Sequence, residues 1–181
     1  MSIETQFVKL KKQLTPERML LLSNKERQEV SQLLESLEAS IRRERAGESF
    51  LEFSAGVWPA FIEGAHHRSM AKAFERVASG DLKRLMINMP PRMGKSQLTS
   101  WLLPAWIMGR SPDKKIIMAS HTAELAVRFG RMVRNLIGSD EYLQLFPDVS
   151  LTADSKAAGR FDVSGGGEYF SVGVGGAVTG R

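Results

Sequence analysis

The residues best suited to chemistry stand in one short stretch, "LMINMPPRMGKSQLTSW" at 85–101. A Gly-Lys-Ser directly after a proline turn is the residue set of a phosphate-binding loop. Gly94 lets the main chain approach an anion with no side chain between, and successive N–H groups at a helix N-terminus face that anion. Lys95 can reach the outer phosphate oxygens, and the Ser96 hydroxyl can hold a magnesium ion. The usual pattern begins with a glycine five positions before Gly94, and Met89 stands there instead. The adjacent pair His66 and His67 is the other candidate set. On a helix two neighbours point about 100° apart, so they cannot both face one metal, and a packed or capping histidine is the expected role.

Positioning a phosphate loop requires a strand before it and a helix after it. "LKRLMIN" has the apolar character of a buried strand, "PPRMGKS" turns the chain, and "KSQLTSWLL" begins a helix that Pro104 bends or restarts. "KKIIMAS" at 114–120 reads as a second buried strand, about 30 residues later, the length of a βαβ unit. A helix from about Thr122 carries Leu125, Phe129, Met132, Val133 and Leu136 on one face. Arg128, Arg131 and Arg134 lie on the other, either as a solvated surface or as a phosphate or subunit contact. "GSDEYLQLFPDVSLTADSKAAGRF" reads as a polar connection with little regular structure, and "GGGEYFSVGVGGAVTGR" as a glycine-rich hairpin without a dinucleotide fingerprint.

Upstream, residues 15–46 read as helix. Thr15 is an N-cap with Pro16 behind it, Ser23 and Glu26 form a capping box, and Val30, Leu33, Leu34, Leu37 and Ile41 make one apolar stripe ending near Gly47. This defines an arm over 1–46 and a main domain over 47–181. Within the latter, "FSAGVWPAF" is an aromatic segment bent at Gly56 and Pro59. "HHRSMAKAFERVASG" is a helix with Met70, Phe74 and Val77 on one face and Gly80 as its C-cap.

Composition narrows the class further. The 181 residues are 43% hydrophobic and 25% charged with a formal charge of +5, ordinary for a globular chain and a mild pointer to a polyanionic partner. The chain contains no cysteine, which excludes disulfides and thiolate metal sites. Residues 96–109, the longest uncharged apolar run, are too short to span a bilayer and contain Pro104. The N-terminus lacks a secretory signal pattern, so a cytoplasmic protein is expected.

Taken together, the segments resemble the N-terminal part of the large terminase subunit of tailed bacteriophages, an ATPase that drives DNA into the procapsid. The resemblance runs through "FSAGVWPAFIEGAHH", "DLKRLMINMPPRMGKS", "LLPAWIMGRSPDKKIIMASHTAELAVRFGRMVRNLI", "YLQLFP", "LTADSKAAGR" and "GGEYFSVGVGGAVTGR". In that family the phosphate loop dispenses with the first glycine and carries a basic residue, as "PPR-x-GKS" does here. The resemblance implies an α/β fold, an incomplete P-loop NTPase of the ASCE type forming a three-layer sandwich with an N-terminal helical arm. It implies ATP and Mg2+ as cofactors, held by Pro91, Arg92, Met93, Gly94, Lys95, Ser96 and Gln97, with Ser96 on the metal. Arg92 and Lys95 would be the catalytic residues, Arg92 acting on terminal phosphate charge as an arginine finger does. Trp58 and Pro59 fall where the family contacts the adenine base. The implied partners are double-stranded DNA, the small terminase subunit, the portal protein and further copies in a ring, in the host cytoplasm and transiently at the procapsid portal. Met93 stands where a histidine is frequent in the family, and His121 where a tyrosine is frequent.

Hydrolysis in such a motor also needs an apolar strand ending in acidic residues. "KIIMAS" has no terminal acid and "YFSVGVGGAVTG" has none either; in the family that strand follows "GGAVTGR", where this sequence ends. Loss of a general base commonly costs about 10² to 10⁴ in rate. The expectation is therefore a chain that binds ATP weakly at most and does not turn it over. The alternative reading is an inactive terminase fragment that serves as a nucleotide-binding or partner-docking module.

Overall fold

The computed structural model describes residues 3–175, apart from the side chains of 154–156. The "AVTGR" end of the glycine-rich segment thus lies outside the described residues. The chain divides between Arg45 and Ala46 into two compact units.

The first unit is helical: α1 (Ile3–Gln13), α2 (Pro16–Leu20) and most of α3 (Asn24–Glu48). Its turns follow local chemistry. Thr15 Oγ1 accepts from the Arg18 N–H, with Pro16 in the first turn where no N–H is needed. Ser23 and Glu26 exchange backbone-to-side-chain bonds, Ser23 N–H to the Glu26 carboxylate at 2.8 Å and Glu26 N–H to Ser23 Oγ at 3.3 Å. Ion pairs from Lys11 to Glu38 at 2.6 Å and from Arg45 to Glu4 run α1 antiparallel to α3. Helix α1 lies upstream of the helical region read from the sequence, and α3 passes through Gly47 to Glu48, where Ser49 caps the next helix.

The second unit combines helices with a four-stranded mixed sheet, an α/β arrangement. Helices α4 (Phe50–Val57), α5 (Ala65–Ser79), α6 (Leu103–Arg110), α7 (Ala123–Ile137) and α8 (Asp140–Leu145) accompany strands β1 (Lys115–Ser120), β2 (Leu151–Ala157), β3 (Arg160–Val163) and β4 (Glu168–Gly173). The order is β1-β4-β3-β2, parallel between β1 and β4 and antiparallel elsewhere. An aromatic core joins the helices: Phe50 lies edge-on to Phe74 at 5.0 Å and to Trp106 at 5.4 Å, and Phe53 faces Tyr142 at 6.2 Å. Its buried polar tips find partners, as burial demands. Trp106 Nε1–H donates to the Ala46 carbonyl at 2.7 Å and Tyr142 O–H to the Ala105 carbonyl at 2.9 Å. Helix α7 presses on the sheet through Gly130, where a Cβ would meet the Ala158 carbonyl oxygen at 2.3 Å.

Four sequence expectations are corrected. "LKRLMIN" is not a strand: residues 82–90 belong to no ladder, with Met86 86% and Leu85 40% exposed. An apolar run becomes a strand only where its N–H and C=O groups find a neighbour, and among the described residues none pairs with it. No βαβ unit therefore precedes β1; the parallel pair is β1 with β4. The supposed irregular connection after α7 holds α8, β2 and β3, and the hairpin is β3 with β4. Its turn uses Gly165 and Gly166 at φ 98° and 90°, conformations that side chains resist. On α7 the buried stripe is Ala126, Gly130, Val133, Leu136 and Ile137, whereas Leu125 is 40% exposed, because small residues let the helix approach the sheet.

Candidate functional site

After Pro90 and Pro91 the chain turns and a helix begins at Lys95. Arg92 sits at φ 64° and Gly94 at φ 78°, so two left-handed residues flank Met93. For a non-glycine residue that conformation costs about 1 to 2 kcal/mol, and such strain concentrates at functional loops. Helical bonding is established at once, Leu98 N–H donating to the Gly94 carbonyl at 3.0 Å and Thr99 Oγ1–H to the Lys95 carbonyl at 2.8 Å. Residues 97–102 then form a π-helical turn before α6, with Leu103 N–H reaching back to the Leu98 carbonyl. Pro104 explains it: without an N–H and with its ring against the preceding turn, it prevents regular α bonding there, and the helix opens by one residue.

Beside the loop lies a hollow of about 430 Å³ lined by Trp58, Phe61, Ile62, His66, His67, Arg92, Met93, Gly94 and Gln97. This is within the size range of small-molecule sites. Its aromatic wall is built locally. Trp58 ends α4, Pro59 turns the chain, and Phe61 N–H donates back to the Trp58 carbonyl at 2.9 Å. The Trp58 ring lies 5.6 Å from both Phe61 and Trp101, and Phe61 lies 5.1 Å from His67.

Of the residues singled out in the sequence, Trp58, Arg92, Met93, Gly94 and Gln97 come together around this hollow. Pro59, Pro91, Lys95 and Ser96 are not among its lining residues; Pro59 and Pro91 are exposed turn residues, Ser96 is exposed and Lys95 half-buried. Among the described residues neither Arg92 nor Lys95 forms a salt bridge, leaving two cations beside a helix N-terminus whose dipole also favours an anion. Arg128 and Arg131 are exposed and line a separate hollow of about 370 Å³ with Thr122 and Glu124, while Arg134 is half-buried and bonds the Asn135 side chain.

The histidines do not diverge as their spacing predicts: both rings line the hollow. His67, in the first turn of α5, accepts the Gly64 N–H on Nδ1 at 3.0 Å, a cap on its own helix. The His66 ring lies beside it, centroids 3.8 Å apart and planes tilted by 54°. Burial and the adjacent His66 hold His67 below its ordinary value, opposed by the Met93 and Ile62 backbones and by Glu63. The sequence signalled a capping role for one histidine but not that His67 also touches the loop. No group of three or more potential metal ligands occurs among the described residues. No described helix is long and apolar enough to cross a membrane.

Comparison with protein-family models, with curated proteins and with solved structures yields no match to this chain.

Proposed function

We propose that this chain is the nucleotide-binding part of a phage large terminase subunit, a P-loop ATPase of the ASCE type that in complete form translocates DNA into the procapsid. The observation that carries the reading is the loop at 90–96. It has left-handed residues at Arg92 and Gly94, a helix starting at Lys95, and two cations without salt-bridge partners among the described residues. A left-handed turn followed at once by a helix N-terminus, with Arg92 and Lys95 beside it, is the local chemistry from which an anion site is built, although no strand precedes it among the described residues. Lys95 would reach the outer phosphates, Ser96 would hold Mg2+, and Arg92 would meet charge developing on the terminal phosphate. The aromatic wall at Trp58 would take the base. Double-stranded DNA, the small subunit, the portal and a ring of copies, in the host cytoplasm and at the portal, follow from the same reading.

A second reading, a nucleotide-binding or docking module without turnover, is favoured by the hollow itself. Its ionisable lining consists of Arg92 and two histidines, with no carboxylate. Calorimetric titration with MgATP tests the shared core of both. Binding that weakens at least about tenfold in Lys95→Ala supports it, the loss expected when one charge-assisted contact goes. No binding by the parent chain, or equal binding by the variant, overturns it. Phosphate release that Lys95→Ala abolishes would select the motor over the module.

A further inference from the structure

We propose that His67 is the positioning residue of the phosphate loop: its ring ties the start of α5 to the main chain at Met93 and Gly94. The proposal deepens the nucleotide-binding reading and rests on it for its functional consequence.

The argument begins with the cap. Nδ1 accepts the Gly64 N–H, so in the neutral ring this nitrogen carries no hydrogen and the proton resides on Nε2. The cap therefore selects the tautomer. Nε2 faces the loop, 3.2 Å from the point a Cβ on Gly94 would occupy, and the Met93 and Ile62 backbones both act on the ring as hydrogen-bond acceptors do. One imidazole thus spends one nitrogen on its own helix and offers the other to a loop 26 positions downstream. Packing keeps the ring in place, with the Phe61 ring at 5.1 Å and the His66 ring at 3.8 Å.

The tie matters because of what lies between its ends. Residues 81–90 join α5 to the loop without a ladder. His67 gives the left-handed Arg92 and Gly94 a contact from outside the following helix. Gly94 also admits the contact, since any side chain there would meet both His67 Nε2 and Leu98 Cδ1 at 3.2 Å. A histidine at this point acts on the main chain of the loop through Nε2, whereas Lys95 and Arg92 would act on the phosphates themselves; its ring also lines the hollow.

Two substitutions split the ring into its halves. In His67→Asn the side-chain amide reaches the Nδ1 position and preserves the cap but not the loop contact. In His67→Gln it reaches the Nε2 position and preserves the loop contact. Amide hydrogen exchange over 92–98 in the nucleotide-free chain reads the tie directly, and MgATP titration reads its consequence. The expected result is loop exchange faster by about tenfold and affinity weaker by about tenfold in His67→Asn, with His67→Gln within about threefold of the parent in both. Loop exchange unchanged in His67→Asn, or slowed only when the cap is kept, overturns the proposal. Loop exchange altered as expected in a chain that binds no MgATP refutes the nucleotide reading and leaves the tie standing.

Discussion

At the residue scale, the site is a balance of a neutral ring against nearby charge. His67 is held below its ordinary value near 6.5, first by burial and then by His66, with the Met93 and Ile62 backbones and the Glu63 carboxylate pulling the other way. Glu63 is itself paired to Arg68 at 2.5 Å, and Arg92 lines the same hollow. The unfolded chain therefore takes up this proton more readily than the folded one. The stability tied to neutral His67 is fully present above about pH 6.5 and is lost as the pH falls through the lowered folded-state value. Denaturation midpoints of the parent should drop more steeply than those of His67→Gln between about pH 7.5 and about pH 5. Parallel profiles would mean the ring contributes nothing to this slope. Local chemistry was legible here: Gly94 and the Thr15, Ser23 and Gly80 caps are short-range signals, each in a turn or cap, and Lys95 opens the helix that follows the turn. The His67 contact was not, because periodicity is silent about residues that meet across 26 positions.

At the element scale, glycine separates a helix that must approach closely from one that need not. On α7, a methyl at Gly130 would stand 2.3 Å from the Ala158 carbonyl oxygen and 2.5 Å from Ser171 Oγ. Gly130→Ala should cost about 3 kcal/mol or more in urea unfolding, since the first obstacle is backbone and cannot rotate aside. Near the end of α3, Gly47 has nothing within 4 Å of the same position. Gly47→Ala should raise stability by about 0.5 to 1 kcal/mol through helix propensity. A similar effect of both substitutions would contradict the packing described. Helices with caps could be read in advance because their signals are local; "KIIMAS" is a strand as read, but not the buried one expected, since its residues are exposed or half-buried. The run "LKRLMIN" could not be read in advance, since its apolar pattern states a preference for a ladder that only tertiary pairing can grant. The strand β2 was hidden by polar residues typical of a sheet margin, and β3, which lies inside the sheet, by its shortness.

At the scale of the whole molecule, apolar surface is left open along 82–89 and on β1. Met86 is 86% exposed, Ile117 54% and Leu85 40%. Exposed side chains of this kind, beside a margin with which no described strand pairs, favour association between copies. Met86→Lys should leave the unfolding midpoint unchanged within about 0.5 kcal/mol while reducing concentration-dependent light scattering. Unaltered scattering would show that this surface does not drive self-association. The broad α/β class was readable from alternating helix and strand signals; the strand order was not, because β4 reaches past β2 and β3 to meet β1.

That long reach sets a timetable for biosynthesis. Lys115 leaves the ribosome well before Glu168, the residue it will pair with. At translation speeds of about 5 to 20 residues per second, the roughly fifty residues between them take on the order of 3 to 10 seconds. For that interval the nascent "KIIMAS" segment waits beside the emerging chain with its hydrogen-bonding groups open. A holding chaperone that recognises short aliphatic stretches would therefore find its moment here, before β4 arrives to claim β1.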